Sequence, residues 1–357
     1  MKKIAFYLPQ FHPDPVNNKF WGDDFTDWTT TSASKPLYAG HNQPRIPHDD
    51  IGYYSLDDPA VIKKQASIAK KFGVDGFAIY SYWFGKNEFA LRKPVDLILE
   101  NKDIEIEFFL SWVNTDWTMS WVGRNDKILY KQKYFEDDYK DYFSYLKRAM
   151  SDSRYLRVNN KPIFYVHHPL DFDFLNFKIL AENFLGPLCW ICPKRSVNDS
   201  LIDEFDYVVG FPPGDHMPYK VNFLSIIFEL VFRAIPTRFK ETSIIFKFFK
   251  TFSYGRYVQS YIKYLKNECK SIKYIPTVLP NWDNSPRYNY RAFSLTQDSS
   301  GSFSSLVKEA RFLAERAQLP FFLVKAWNEW AEGNVLEPSS DQGYQTLEEF
   351  RKGINDE

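Results

Sequence analysis

The stretch Phe321-Phe322-Leu323-Val324-Lys325-Ala326-Trp327-Asn328-Glu329-Trp330-Ala331-Glu332-Gly333 sets the pattern for the whole chain. Its short, unbroken apolar run predicts a strand buried on both faces, which gives way at once to tryptophans, an asparagine and two carboxylates. Glu329 and Glu332 stand at i and i+3, so a helical turn would put them on one face with Cβ atoms about 5–6 Å apart. That is close to the separation of about 5–5.5 Å at which two carboxyl groups work on one glycosidic bond with retention. Tryptophan beside paired acids suits a sugar, whose C–H faces pack on rings while its hydroxyls need polar partners. The plain alternative is a surface turn with two solvated glutamates; the strand before it and the flanking tryptophans argue against that.

The same unit, apolar run then polar-aromatic cluster then amphipathic segment, recurs along the chain. Apolar runs fall at 4–9, 74–80, 107–110, 162–166, 188–191, 207–210, 274–279 and 321–324. Helical patterns lie between most of them: one opened by Asp57-Asp58-Pro59 and running to residue 72, then 94–100, 134–150 and 170–185. Eight buried, continuous runs with helices between them predict a single-domain (β/α)8 TIM barrel, an α/β fold whose strand ends all open onto one face. The competing arrangement is an open doubly wound sheet. The barrel would gather the distant strand-end clusters into one pocket.

Composition narrows the function. The 357 residues carry 45 basic and 45 acidic side chains, so no global field points to nucleic acid. Aromatics reach 18% of residues, more than a core of this size requires, which directs some rings to a cleft or the surface. The apolar run at the N-terminus stops after Leu8, short of a signal-peptide core of about 7–15 residues, and reads as a first strand. Three cysteines form no disulfide framework, and Cys189-Trp190-Ile191-Cys192 lies in a strand-like stretch, so structural thiols and a cytoplasmic setting are expected. No spacing supports a metal site, and no cofactor motif is present.

One segment breaks the rhythm. Residues 220–273 hold Phe223-Leu-Ser-Ile-Ile-Phe228 and Ile244-Ile-Phe-Lys-Phe-Phe249 amid many lysines and arginines and three acids. No apolar stretch there approaches the roughly 20 residues of a membrane span. A helical insertion capping the barrel, a basic amphipathic patch in peripheral contact with a membrane, and a partner-binding surface are the readings it admits.

With these residues in view, the chain resembles the WbsX-like family, itself similar to family 99 glycoside hydrolases (endo-α-mannosidases and endo-mannanases). The resemblance rests on Tyr7-Leu-Pro-Gln-Phe-His12, Phe20-Trp-Gly, Phe25-Thr-Asp-Trp28, Asp75-Gly-Phe and Tyr82-Trp-Phe84. It continues through Ser111-Trp-Val-Asn114-Thr-Asp116-Trp117, Leu279-Pro-Asn-Trp-Asp-Asn284 and Ala326-Trp-Asn-Glu-Trp-Ala-Glu-Gly333, nearly the whole chain outside 220–273. It implies that Glu329 deprotonates the substrate's own 2-hydroxyl, which attacks the anomeric carbon to give a 1,2-anhydro sugar. Glu332 would protonate the leaving oxygen and later activate water. Such chemistry needs the 2-hydroxyl opposite the leaving group, as in α-mannosides and α-rhamnosides. Ala331 departs from the histidine those hydrolases tend to carry between the acids.

These roles predict a raised pKa for Glu332 through enclosure by Trp327 and Trp330, and an ionised Glu329 helped by Asn328. Candidate sugar platforms are Trp83, Trp112, Trp117 and Trp282, with Tyr82 beside them. Asn114, Asp116, Asn281 and Asp283 are candidate hydroxyl ligands, or else loop-capping Asx turns. Tyr7 and His12 end the first strand and could line the pocket; of His167 and His168 at most one points inward.

Three functions remain in play: a retaining glycosidase on an oligo- or polysaccharide, a glycosyltransferase of surface-polysaccharide assembly, and a catalytically silent carbohydrate-binding barrel. Against transfer, no glycine loop is shaped for phosphate, and Asp171-Phe-Asp173 opens a helix-like stretch.

Overall fold

The computed structural model describes residues 1–119, 124–217, 242–271, 273–296 and 301–356, with isolated positions at 231, 235, 236 and 239. Each of the eight apolar runs contains a strand: β1 (Lys2–Tyr7), β2 (Gly76–Trp83), β3 (Glu107–Trp112), β4 (Lys161–Val166), β5 (Cys189–Pro193), β6 (Tyr207–Val209), β7 and β8 (Phe321–Val324). β7 is split into Tyr274–Ile275 and Thr277–Val278 by Pro276, a residue with no N–H to give to a ladder. Neighbours in sequence pair in parallel from β1 to β6. The first half of β7 pairs with β6, the second with β8, and β8 returns to β1. The sheet is thus a nearly closed barrel. The β1–β8 pairing rules out the open doubly wound sheet.

Helices fill the crossovers: Pro59–Lys71, Lys93–Glu100, Glu136–Met150, Phe174–Leu185, Tyr254–Glu268 and Ser302–Arg316, with Gln345–Asn355 after β8. Their starts obey local chemistry. Asp58 accepts the Ala60 N–H with Pro59 in the first turn, and Asp173 accepts that of Asn176. Asp171-Phe-Asp173 is therefore a helix entrance, and this helix begins at Phe174 because Pro169–Asp171 forms a separate 3-10 turn. Between β5 and β6 the only helical elements are the 3-10 turns Lys194–Ser196 and Ile202–Glu204.

Much of the aromatic excess lies between barrel and helices rather than in the cleft. Trp83 stacks on Tyr142 at 4.3 Å, and Trp112 packs on Phe177 at 5.2 Å, joining β2 and β3 to the helices outside them. A buried aromatic side chain contributes about 2–3 kcal/mol, which suits these rings to locking the helix ring. Cys189 and Cys192 are buried free thiols in β5, and burial pushes the Cys189 thiol up to about 12.

The segment 220–273 lies in part outside the described residues. Its described portions include the helix Ser243–Phe249 and the strand Thr251–Ser253. The helix Tyr254–Glu268 is the barrel's own crossover from β6 to β7: Tyr254 and Tyr261 donate to the carbonyls of Leu279 and Thr277 at 2.6 and 2.9 Å. Any insertion therefore ends before residue 254. Among the described residues no helix is long and apolar enough to cross a membrane.

Candidate active site

A cleft of about 480 Å³ opens at the C-terminal ends of the strands, the face on which barrels of this kind build their sites. All eight strands contribute to its wall: Gln10 follows β1, Tyr82 ends β2, Asp116 follows β3, His167 β4, Arg195 β5, Phe211 β6, Arg287 β7, and Glu329 and Glu332 β8.

The acidic pair sits on a tight hairpin. Asn328–Glu329 pairs antiparallel with Asn334–Val335, and Trp330–Glu332 closes the loop as one 3-10 turn. Gly333 makes the reversal at φ 60°, and a Cβ there would stand 3.0 Å from the Asp283 nitrogen and from Arg45 Nε. Asp27, from the early Phe25-Thr26-Asp27-Trp28 stretch, accepts the Ala331 N–H at 3.2 Å and steadies the turn from the other side.

Glu329 and Glu332 both line the cleft, close enough that the charge on each shifts the other. Tyr80 donates to Glu329 Oε1 at 2.7 Å, while Glu332 accepts from Arg287 Nη1 at 2.8 Å and Lys325 Nζ at 3.4 Å. Glu329 and Lys325 are 4% and 5% exposed, so these charges act with little water between them. Unit charges near 4 Å interact by about 4 kcal/mol at an effective permittivity of about 20, enough to favour one proton on two neighbouring buried carboxylates. Its location is set by the cations. Burial pushes Glu332 up, but Lys325 and Arg287 outweigh that and hold it well below the usual carboxylate range. Burial and the charge on Glu332 push Glu329 far above it.

This distribution is the reverse of the one the sequence predicts, for a visible reason. The Trp327 and Trp330 indoles donate to Glu337, at 3.0 and 2.8 Å. Asn328 is occupied by the Leu8 backbone, accepting from its N–H at 2.7 Å and donating to its carbonyl at 3.0 Å.

Of the predicted substrate-binding residues, Tyr82, Asp116 and Trp117 line the cleft with the two acids, Tyr82 meeting Trp117 edge-on at 5.3 Å. The others lie behind its wall. Tyr7 donates to Gln65 at 2.7 Å, and His12 Nδ1 lies 2.9 Å from the Pro9 carbonyl. Trp83 and Trp112 belong to the aromatic layer. Asn114 clasps the backbone of His168 at 2.7 and 2.8 Å, tying the loop after β3 to the one after β4 rather than capping its own loop in an Asx turn. Asn281 accepts the Trp282 N–H at 2.8 Å, and Trp282 presents its ring to Lys325 at 4.8 Å. Asp283 is buried, accepting from His41 and Gln43 at 2.8 Å each; it supports the turn by donating its N–H to the Glu332 carbonyl at 2.7 Å. Trp327, Asn328 and Trp330 position the hairpin.

Sequence reading missed Tyr80, Arg195, Phe211, Arg287, Lys325 and Glu337. Lys325 carried a signal, a lone cation where a buried strand ends. Glu337 comes only a few residues after the acids. Arg287 had none, because only the fold brings it to Glu332.

The family described as "Glycosyltransferase WbsX" matches residues 3–350. The chain belongs to the WbsX family. It is 30% identical to the uncharacterized protein WxcX of Xanthomonas campestris pv. campestris, the match covering 98% of this chain and 49% of that protein. The chain thus spans about half the length of the WxcX proteins it matches. Among solved structures, the GH99 endo-alpha-mannosidase of Bacteroides thetaiotaomicron superposes with a TM-score of 0.58 at 13% identity, covering 99% of this chain and 95% of that one. A glycoside hydrolase-like protein gives 0.59 at 13% identity over 99% and 93%. These likenesses show that the WbsX chain has the barrel fold of glycoside hydrolases.

Proposed function

We propose that this WbsX-family chain is a retaining glycoside hydrolase acting on α-manno- or α-rhamno-configured linkages of a bacterial surface polysaccharide, with participation of the substrate's 2-hydroxyl. The observation that carries the reading is the placement of Glu329 and Glu332 together at the foot of the cleft, with Tyr80 on the first and Arg287 and Lys325 on the second, an arrangement that favours one proton on the pair. One proton on two carboxylates is the stoichiometry an acid and a base need together. In the free protein that proton rests on Glu329. A 2-hydroxyl donating to Glu329 favours its ionised form, and the proton passes to the neighbouring Glu332.

Glu329 then takes the proton of the 2-hydroxyl and O2 attacks the anomeric carbon. The bond to the leaving oxygen breaks as Glu332 protonates that oxygen. In the second half, Glu332 accepts a proton from water, the water oxygen attacks the anomeric carbon, and O2 leaves with the proton held by Glu329. Two inversions give retention. Tyr82 and Trp117 supply apolar faces for the sugar ring, and Asp116 an acceptor for its hydroxyls.

The test is hydrolysis of a panel of α-mannoside and α-rhamnoside oligosaccharides by wild type, Glu329→Gln and Glu332→Gln. Both variants are expected to fold and to lose turnover; wild-type rates in Glu332→Gln would refute the assignment. The family's description favours a second reading, glycosyl transfer in O-antigen or capsule assembly, which sugar-nucleotide-dependent elongation without hydrolysis would support. Binding without cleavage would mark a silent barrel. In either enzymatic reading the work belongs to the cytoplasm, with the basic segment 220–253 in peripheral contact with the membrane.

A further inference from the structure

Two cations converge on one aromatic ring of the cleft. Arg195, in the turn after β5, holds its guanidinium carbon 4.9 Å from the centre of Phe211, and Lys325 places its ammonium 4.4 Å from the same ring. All three side chains line the cleft. The turn after β6 is shaped to the guanidinium: a methyl group on Gly214 would fall 2.1 Å from Arg195 Nη1. Lys325 and Arg287 have a carboxylate in Glu332. Arg195 has neither an ion-pair nor a hydrogen-bond partner among the described residues, and it is exposed to solvent.

One carboxylate, Asp215, lies within reach of the charge on both Arg195 and Lys325, and it is turned to the backbone rather than to the guanidinium. His167 is kept neutral first by burial and then by His168, Arg195 and Lys325, so it offers polar contacts without adding charge. Asp215 bonds back to the Phe211 N–H, and burial pushes its pKa up against the pull of Arg195 and Lys325. A guanidinium held against a ring loses less freedom on binding than one free in solvent. Its planar fork matches a carboxylate or a phosphate in two parallel hydrogen bonds.

We propose that Arg195, with Lys325 across the Phe211 ring, forms a subsite for a negatively charged substituent of the saccharide, a uronic carboxylate or a phosphate group. The inference deepens the reading of the cleft as a saccharide site and does not depend on hydrolysis taking place there. It predicts an acidic glycan as substrate, since a neutral sugar would leave the fork unused.

Calorimetric titration tests it with D-mannuronate, inorganic pyrophosphate and D-mannose at matched ionic strength, on wild type, Glu332→Gln and Arg195→Gln. At least one charged ligand is expected to bind tenfold or more tighter than mannose in wild type, and with at least that preference in Glu332→Gln, where Lys325 loses its carboxylate partner. Arg195→Gln should abolish that preference and leave mannose affinity unchanged. Preference for mannuronate identifies a carboxylate as the natural group, and preference for pyrophosphate a phosphate. Charged ligands binding no better than mannose, or a preference that survives Arg195→Gln, would overturn the subsite. Because Glu332→Gln removes turnover and leaves Arg195 intact, loss of the hydrolase reading and loss of the subsite give separate results.

Discussion

Arg287 donates from Nη1 to Glu332 Oε1 at 2.8 Å, tying the loop after β7 to the acidic turn after β8. With Lys325 on the other carboxylate oxygen, this contact fixes which member of the acidic pair is ionised. The two cations therefore set the pH range over which the pair holds a single proton.

Replacing Lys325 with methionine keeps the volume and removes one of those cations. Glu332, held low in the folded protein, then takes up its proton at higher pH, and the inactive, doubly protonated pair persists further toward neutrality. The acid limb of kcat/KM against pH is expected to move up by about one unit or more. Stability changes with the same sign. The contribution of a depressed Glu332 is present above the ordinary carboxylate range and fades as pH falls through its folded pKa, so the variant loses it earlier. An unmoved acid limb would count against the assignment.

Glu337 gathers four donors in a buried pocket: Trp330 Nε1 at 2.8 Å, Trp327 Nε1 at 3.0 Å, Tyr54 at 2.8 Å and Gln65 Nε2 at 2.6 Å. Burial pushes its pKa up to about 7 despite them. Glutamine would turn an NH2 against those donors, and an unsatisfied buried group costs about 1–3 kcal/mol. Denaturant unfolding of Glu337→Gln at pH 8 should show a loss of that size, with turnover falling as Trp330 shifts. With its folded pKa raised, this group favours the folded state fully below its unfolded pKa, an advantage lost as pH rises toward 7. That decline should be absent in the variant. Equal stability at pH 8 would dismiss the network as a support.

Gly333 occupies the left-handed region with Asp283 and Arg45 at 3.0 Å from where a side chain would begin. Alanine there is strained by about 1 kcal/mol from its backbone alone, and the crowding adds to it. Gly333→Ala is expected to lower the Tm by several degrees and to reduce kcat more than KM changes, because the hairpin carrying Glu332 must move. Wild-type kcat in a folded variant would show that the turn tolerates displacement.

The helix Ser243–Phe249 buries Phe246 and leaves Ile244 and Phe248 69% and 74% exposed, with Lys247 exposed beside them. Phe246 belongs to a small cluster that also packs Tyr288, a residue of the cleft wall, so the patch adjoins the site. Sedimentation with phosphatidylcholine vesicles containing phosphatidylglycerol should carry down the wild type, and less of a variant with Ile244→Ser and Phe248→Ser. Each lysine or arginine near such a surface adds about 1 kcal/mol, so added salt should release it. A wild type that stays in the supernatant would leave the patch to a protein partner.

The fold was legible because parallel barrel strands are buried on both faces, and burial on both faces demands unbroken apolar runs that can be counted along the chain. The place of the acids was legible for the same reason: Glu329 and Glu332 come directly after the last run, and the loops leaving barrel strands all emerge on one face. The tryptophans misled, because an indole beside a carboxylate in sequence need not bond to it. Glu337 draws both Trp327 and Trp330 away, and the aromatic layer under the helices takes Trp83 and Trp112. The order of strands and the position of the paired carboxylates thus belong to the sequence. Their protonation belongs to the tertiary structure, since charge acts through space and Arg287 reaches Glu332 only once the barrel nearly closes.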